Sequence, residues 1–155
     1  MRAKIYHRLM ASVTTADGVR LRYEVEGGGP PLVLHLGAGC DADLWRATGY
    51  VDVLSKNRSC VLFDHRGHGE SDHPHGPAAI HIDRYVDDLF MLVKALGQLL
   101  VSYFGWSNEV VVGLKAAQPR SEVFEALVLF GREHLRATAK ASLARPDAPS
   151  RSTST

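Results

Sequence analysis

Four short apolar runs, each cut off by a glycine-rich or polar break, set the strongest limit on what this chain can fold into. Leu32 to Leu36 ends at Gly37-Ala38-Gly39, and Cys60 to Phe63 runs into the polar loop Asp64 to Gly76. Leu99 to Phe104 meets a sharp Gly105-Trp106-Ser107 step, and Phe124 to Phe130 closes the series. Runs this short, apolar on successive residues, suit strands covered on both faces of a sheet. Helical segments separate them. Leu44, Trp45, Val51 and Leu54 suggest a helix or helical loop. Ile82, Tyr85, Val86, Leu89, Phe90, Val93 and Leu96 follow helical spacing, with Gly97 placed to stop the helix. Asn108 to Gln118 reads as a third helix, ended by Pro119. The alternation predicts an α/β fold, a three-layer α/β/α arrangement around a mainly parallel sheet.

Residues 12–25 come before this series and read as a hairpin about Asp17-Gly18, with Leu21, Tyr23 and Val25 alternating against charged neighbours. The folded core is expected over 12–131. Beyond it, 132–155 reads as a helical segment followed by an Ala/Arg/Ser/Thr/Pro tail too poor in apolar residues to pack, hence disordered. In the 155-residue chain 45% of residues are hydrophobic and 23% charged, enough for a soluble globular core. Eighteen Lys+Arg against 17 Asp+Glu leave a net charge of +1, so no basic excess points to nucleic acid. No apolar stretch is long enough to span a bilayer, and the N-terminus lacks the apolar segment of a signal peptide. With only two cysteines, Cys40 and Cys60, the expected location is the cytoplasm.

Three loops carry the chemistry, each directly after a buried strand. They are His35-Leu36-Gly37-Ala38-Gly39-Cys40, then Asp64-His65-Arg66-Gly67-His68-Gly69-Glu70-Ser71, then Gly105-Trp106-Ser107-Asn108-Glu109. In this order the chain resembles the α/β-hydrolase family over roughly residues 17 to 131. The second loop matches the family's D-x-R-G-x-G-x-S pattern in full, and the third takes the place of its G-x-S-x-G nucleophile elbow. The resemblance implies a serine nucleophile, Ser107, on a tight strand-to-helix turn, and an oxyanion held by the backbone N–H groups of Ala38 and Asn108. It implies structural roles for Asp64, Arg66, Gly67, Gly69 and Ser71, and elbow roles for Gly105 and Glu109. The implied activity is serine-dependent hydrolysis of a small ester, amide or related substrate, with no metal and no organic cofactor.

The sequence departs from the family pattern in three places. Glu109 replaces the last small residue of the elbow, where a long carboxylate is expected to crowd the strand and set a negative charge near the oxyanion. Leu36 stands where the family often has histidine before the oxyanion-loop glycine, and His35 comes one position earlier. The family's acid and histidine follow the serine in the chain. Here only Glu109, Glu122, Glu125, Glu133, Asp147 and His134 follow Ser107. The family fold therefore looks truncated after 124–130, and the chain is expected to be inactive or impaired. The alternatives are a non-catalytic binding module, a half-site completed by another chain, or a shortened gene product. His65, His68, His73, His75 and His81 are expected to be solvated loop residues rather than metal ligands. The strand at 124–130 is expected to form an apolar sheet edge open to self-association.

Overall fold

The structure is a computed structural model and describes residues 9–131. The helical segment and tail expected over 132–155 lie outside the described residues. Two strands open the fold, β1 (Leu9–Thr14) and β2 (Arg20–Gly27), joined as an antiparallel hairpin. Gly18, at φ 85°, supplies the left-handed residue its turn requires. There follow β3 (Pro31–His35), the short helices α1 (Leu44–Ala47) and α2 (Tyr50–Leu54), and β4 (Ser59–Phe63). Then come α3 (Ile82–Ala95), β5 (Val101–Trp106), α4 (Glu109–Ala117), a 3-10 turn at Ser121–Val123, and β6 (Phe124–Phe130).

The six strands make one sheet in the order β1-β2-β4-β3-β5-β6. β3, β4, β5 and β6 run parallel, and only the β1–β2 and β2–β4 pairings are antiparallel. Alternation along the strands divides the core into two layers, because successive side chains leave opposite faces of a sheet. Leu32, Leu34, Cys60 and Leu62 pack with Trp45 and Val51 on the α1/α2 side. Val33, Val61, Phe63 and Tyr103 meet Val86, Leu89, Leu92 and Val93 of α3 and Val112 of α4 on the other side. This is the three-layer α/β arrangement expected from the sequence.

The helix expected at 82–96 forms as α3. His81 caps it, its Nδ1 accepting the Asp83 N–H, and Gly97 follows at φ 65°. Two local expectations need correction. The segment around 44–54 is not one helix but two, broken at Gly49 with φ 80°. β5 begins at Val101 rather than Leu99, because the pairing with β6 starts only there, and Leu99 is left 92% exposed.

Candidate active site

The three loops singled out in the sequence meet at the C-terminal ends of the parallel strands, where open α/β sheets place their sites. Ser107 sits between β5 and α4 at φ 64°, the single non-glycine residue in left-handed backbone among the described residues. Its amide donates to the Phe130 carbonyl at 2.7 Å, which locks the turn to the end of β6. Small residues surround it out of steric need. A Cβ on Gly37 would lie 2.7 Å from the Ser107 Cβ, and one on Gly105 would lie 2.7 Å from the Glu109 carbonyl oxygen. Ser107 and Asn108 are exposed, as is Ala38 across the turn. Neither the Ala38 nor the Asn108 N–H donates to another described residue. A cleft of about 200 Å³ opens beside them, walled by Leu36, Trp45, Tyr50 and Trp106.

The loop after β4 is a brace. Asp64 accepts the Ala42 N–H at 2.8 Å through Oδ1 and the Glu70 N–H at 3.1 Å through Oδ2. Gly69 can only be glycine, since a Cβ there would fall 2.3 Å from the Asp64 Cγ. Ser71 Oγ donates to the Asp64 carbonyl and accepts the Arg22 N–H, and the Gly67 N–H donates to the Asp72 carbonyl at 2.9 Å. Arg66, fully buried, forks onto Asp88 of α3 at 2.6 and 2.7 Å and reaches Asp17 of the hairpin turn at 2.9 Å. The Asp88 bond raises the guanidinium pKa further, and Arg66 in turn holds the Asp17 carboxyl well below the usual carboxylate range. Hairpin, loop and α3 are thereby pinned together beneath the site.

Two residues take roles the sequence did not reveal. His68 is half-buried, and its Nε2 accepts the Gly39 N–H at 2.9 Å, steadying the loop that carries Ala38. His65 is not a solvated loop residue: it is 3% exposed, and burial lowers its pKa to about 3. The second residue is His35. Coming one position early, it lies on the α3/α4 face of the sheet, fully buried against Phe63 with ring centroids 4.4 Å apart. Desolvation holds it neutral, well below the usual histidine range, with His65 adding to the effect.

Glu109 also differs from expectation. It is buried as expected, but instead of crowding β5 its side chain reaches His35, with Oε2 3.1 Å from Nε2. Desolvation pushes its carboxyl up to about 8, so near neutral pH the negative charge expected at this turn is largely absent. The signal was present in the sequence as two separate departures, His35 and Glu109. Nothing in one dimension linked them. Among the described residues no side chain hydrogen-bonds to Ser107 Oγ, so the structure brings no acid–histidine pair to it.

A parallel sheet with a strained serine at a strand–helix elbow defines a class, and comparison with known proteins agrees with it. The chain belongs to the alpha/beta hydrolase fold family, whose profile matches residues 30–108. It is 28% identical to a putative carbamate hydrolase of Azorhizobium caulinodans over 70% of this chain and 40% of that protein. It is 32% identical to a non-heme chloroperoxidase of Streptomyces lividans over 71% of this chain and 41% of that one. Among solved structures, a hydrolase from Pseudomonas aeruginosa superposes with a TM-score of 0.72 at 30% identity, covering 77% of this chain and 44% of that one. An epoxide hydrolase from an endophytic Streptomyces gives 0.72 at 26% identity over 79% and 36%. The chain thus spans roughly two fifths of the length of these relatives. Among the described residues no helix is long and apolar enough to cross a membrane.

Proposed function

We propose that the chain carries the nucleophile half of a serine-dependent hydrolase site for a small ester, amide or related acyl compound. The observation that carries this reading is Ser107 held at φ 64° between β5 and α4. Left-handed backbone costs a residue with a Cβ roughly 1–2 kcal/mol, a strain that function explains and packing does not. In this reading Oγ attacks the acyl carbon. The unengaged N–H groups of Ala38 and Asn108, with the first turn of α4 behind them, receive the oxyanion. The apolar cleft beside Trp45 and Trp106 takes the acyl group.

Among the described residues no base reaches Ser107, so in this reading the chain alone is impaired. Serine hydrolases without their base retain roughly 10³–10⁴-fold catalysis over water. The test is p-nitrophenyl acetate turnover with imidazole added as a surrogate base, beside Ser107→Ala. The expected result is a slow, imidazole-dependent rate and an acetyl group found on Ser107 by mass spectrometry. A rate equal to that of Ser107→Ala at every imidazole concentration, with Ser107 unmodified, would refute the nucleophile. A robust rate without imidazole would refute the impairment. Among the described residues β6 is unpaired on its outer edge, which favours a second reading, a half-site completed by another chain or by a second copy, since Val128 and Phe130 are 51% and 59% exposed there.

A further inference from the structure

Behind the elbow, three buried side chains bring ligand atoms close to one another. His35, His65 and Glu109 are 0%, 3% and 4% exposed. His35 Nε2 and Glu109 Oε2 lie 3.1 Å apart; the neutral acid can place its proton between them, and once that proton leaves, two acceptors face each other with no donor among the described residues. Neither ring nitrogen of His65 hydrogen-bonds to a described residue. One ligand atom from each of the three lies within 4.8 Å of the other two. Buried polar atoms are nearly always paired, and two unpaired ones beside an unengaged imidazole, all three within reach of one point, suit an occupant that bonds to all of them.

The surroundings prepare these atoms for a cation rather than a donor. Tyr103 Oη donates to the Glu109 carbonyl at 2.9 Å, so its contact with His35 Nδ1 at 2.8 Å must be one in which Nδ1–H donates. The proton therefore sits on Nδ1, and Nε2 presents a lone pair toward Glu109. An imidazole braced through its outer nitrogen is the usual arrangement behind a metal-bound histidine. We propose that His35, His65 and Glu109 form a buried site for one divalent cation of the zinc class. Two imidazole nitrogens and a carboxylate oxygen suit zinc or cobalt, whereas magnesium and calcium prefer oxygen ligands throughout. Ligand atoms about 2.0–2.2 Å from a tetrahedral ion stand about 3.3–3.6 Å apart. The His35–Glu109 spacing of 3.1 Å is slightly shorter than this, and the three atoms, within 4.8 Å of one another, need to adjust by at most about 1.5 Å. His68, its ring tilted against that of His65 with centroids 3.9 Å apart, is not a ligand, because its Nε2 is taken by the Gly39 N–H. The ion would join the end of β3, the loop after β4 and the first turn of α4, so it acts as a staple behind Ser107 and not as the reacting centre.

The test uses the full chain, stripped with a chelator, then titrated with Zn(II) by calorimetry and with Co(II) by visible absorption. The expected result is one equivalent bound, a Co(II) spectrum of four-coordinate intensity, and a raised melting temperature. His65→Gln leaves the Tyr103 brace intact and is expected to weaken binding by more than about 100-fold. Tyr103→Phe removes no ligand and is expected to weaken it roughly 10–100-fold. His73→Gln and His75→Gln, in the exposed loop, are expected to bind as the parent does. Binding that survives His65→Gln but is lost in the loop variants would overturn the site, as would the absence of a Co(II) spectrum in the parent. The parent spectrum decides the matter even if a ligand variant fails to fold.

Discussion

Replacing Ser107 by glycine should make the protein more stable while removing its proposed nucleophile. At φ 64° a residue with a Cβ costs roughly 1–2 kcal/mol relative to glycine, and Ser107 is the only described residue to bear that cost. Little opposes the gain. Ser107 is exposed and its hydroxyl bonds to no described residue, while the amide bond to Phe130 is made by the backbone and survives the change. Glycine loses roughly 0.5–1 kcal/mol more backbone entropy on folding. The net expectation is a gain of about 0.5–1 kcal/mol. With an m-value of about 2 kcal/mol/M, the urea midpoint should rise by about 0.3–0.5 M. Ser107→Ala is the control: it removes the hydroxyl and keeps the Cβ, so its midpoint should stay within about 0.5 kcal/mol of the parent. A glycine variant no more stable than the alanine variant would refute the claim that the elbow stores backbone strain at this residue.

Further outcomes follow from the same structure. In chelator, the double replacement His35→Leu/Glu109→Met should raise stability by about 1–4 kcal/mol, because a desolvated buried polar pair gives way to apolar side chains of similar size while Tyr103 keeps its bond to the Glu109 carbonyl; a lower urea midpoint would contradict this. Asp17 has its carboxyl held below the usual range by Arg66 first and Thr15 second, so its contribution is present above the ordinary value of 3.8 and is lost as pH falls below it. Acid titrations of stability should therefore drop less steeply below that pH in Asp17→Asn than in the parent; parallel curves would show that the ion pair adds nothing. Val128→Lys, on the exposed face of the β6 edge, should reduce concentration-dependent association in sedimentation runs, and identical profiles would exclude edge pairing as its cause.

Much of the site was legible in the chain because it rests on local geometry. A left-handed serine between Gly105 and the helix, a glycine pressed against Asp64 and an arginine fork all belong to loops of a few residues, whose side-chain sizes nearly dictate their shape. Glu109 was legible only as an oddity. Read alone it was a charge at a crowded turn; in the fold it is a neutral acid facing His35. The distance between those residues along the chain, with two strands and three helices between them, hid the relation.

The sequence by itself determined which segments are strands, which are helices and where the elbow falls, since hydrophobic period and glycine placement act within a few residues. The tertiary structure alone decided how the strands stack. Parallel pairing sets His35 beside Gly105, and strand alternation turns the His35 ring to the α3/α4 face with Phe63 and Tyr103. One residue later the same histidine would have left the sheet on the other face, away from Glu109 and His65. The clustering of these three groups follows from strand register, a long-range property that no local pattern encodes.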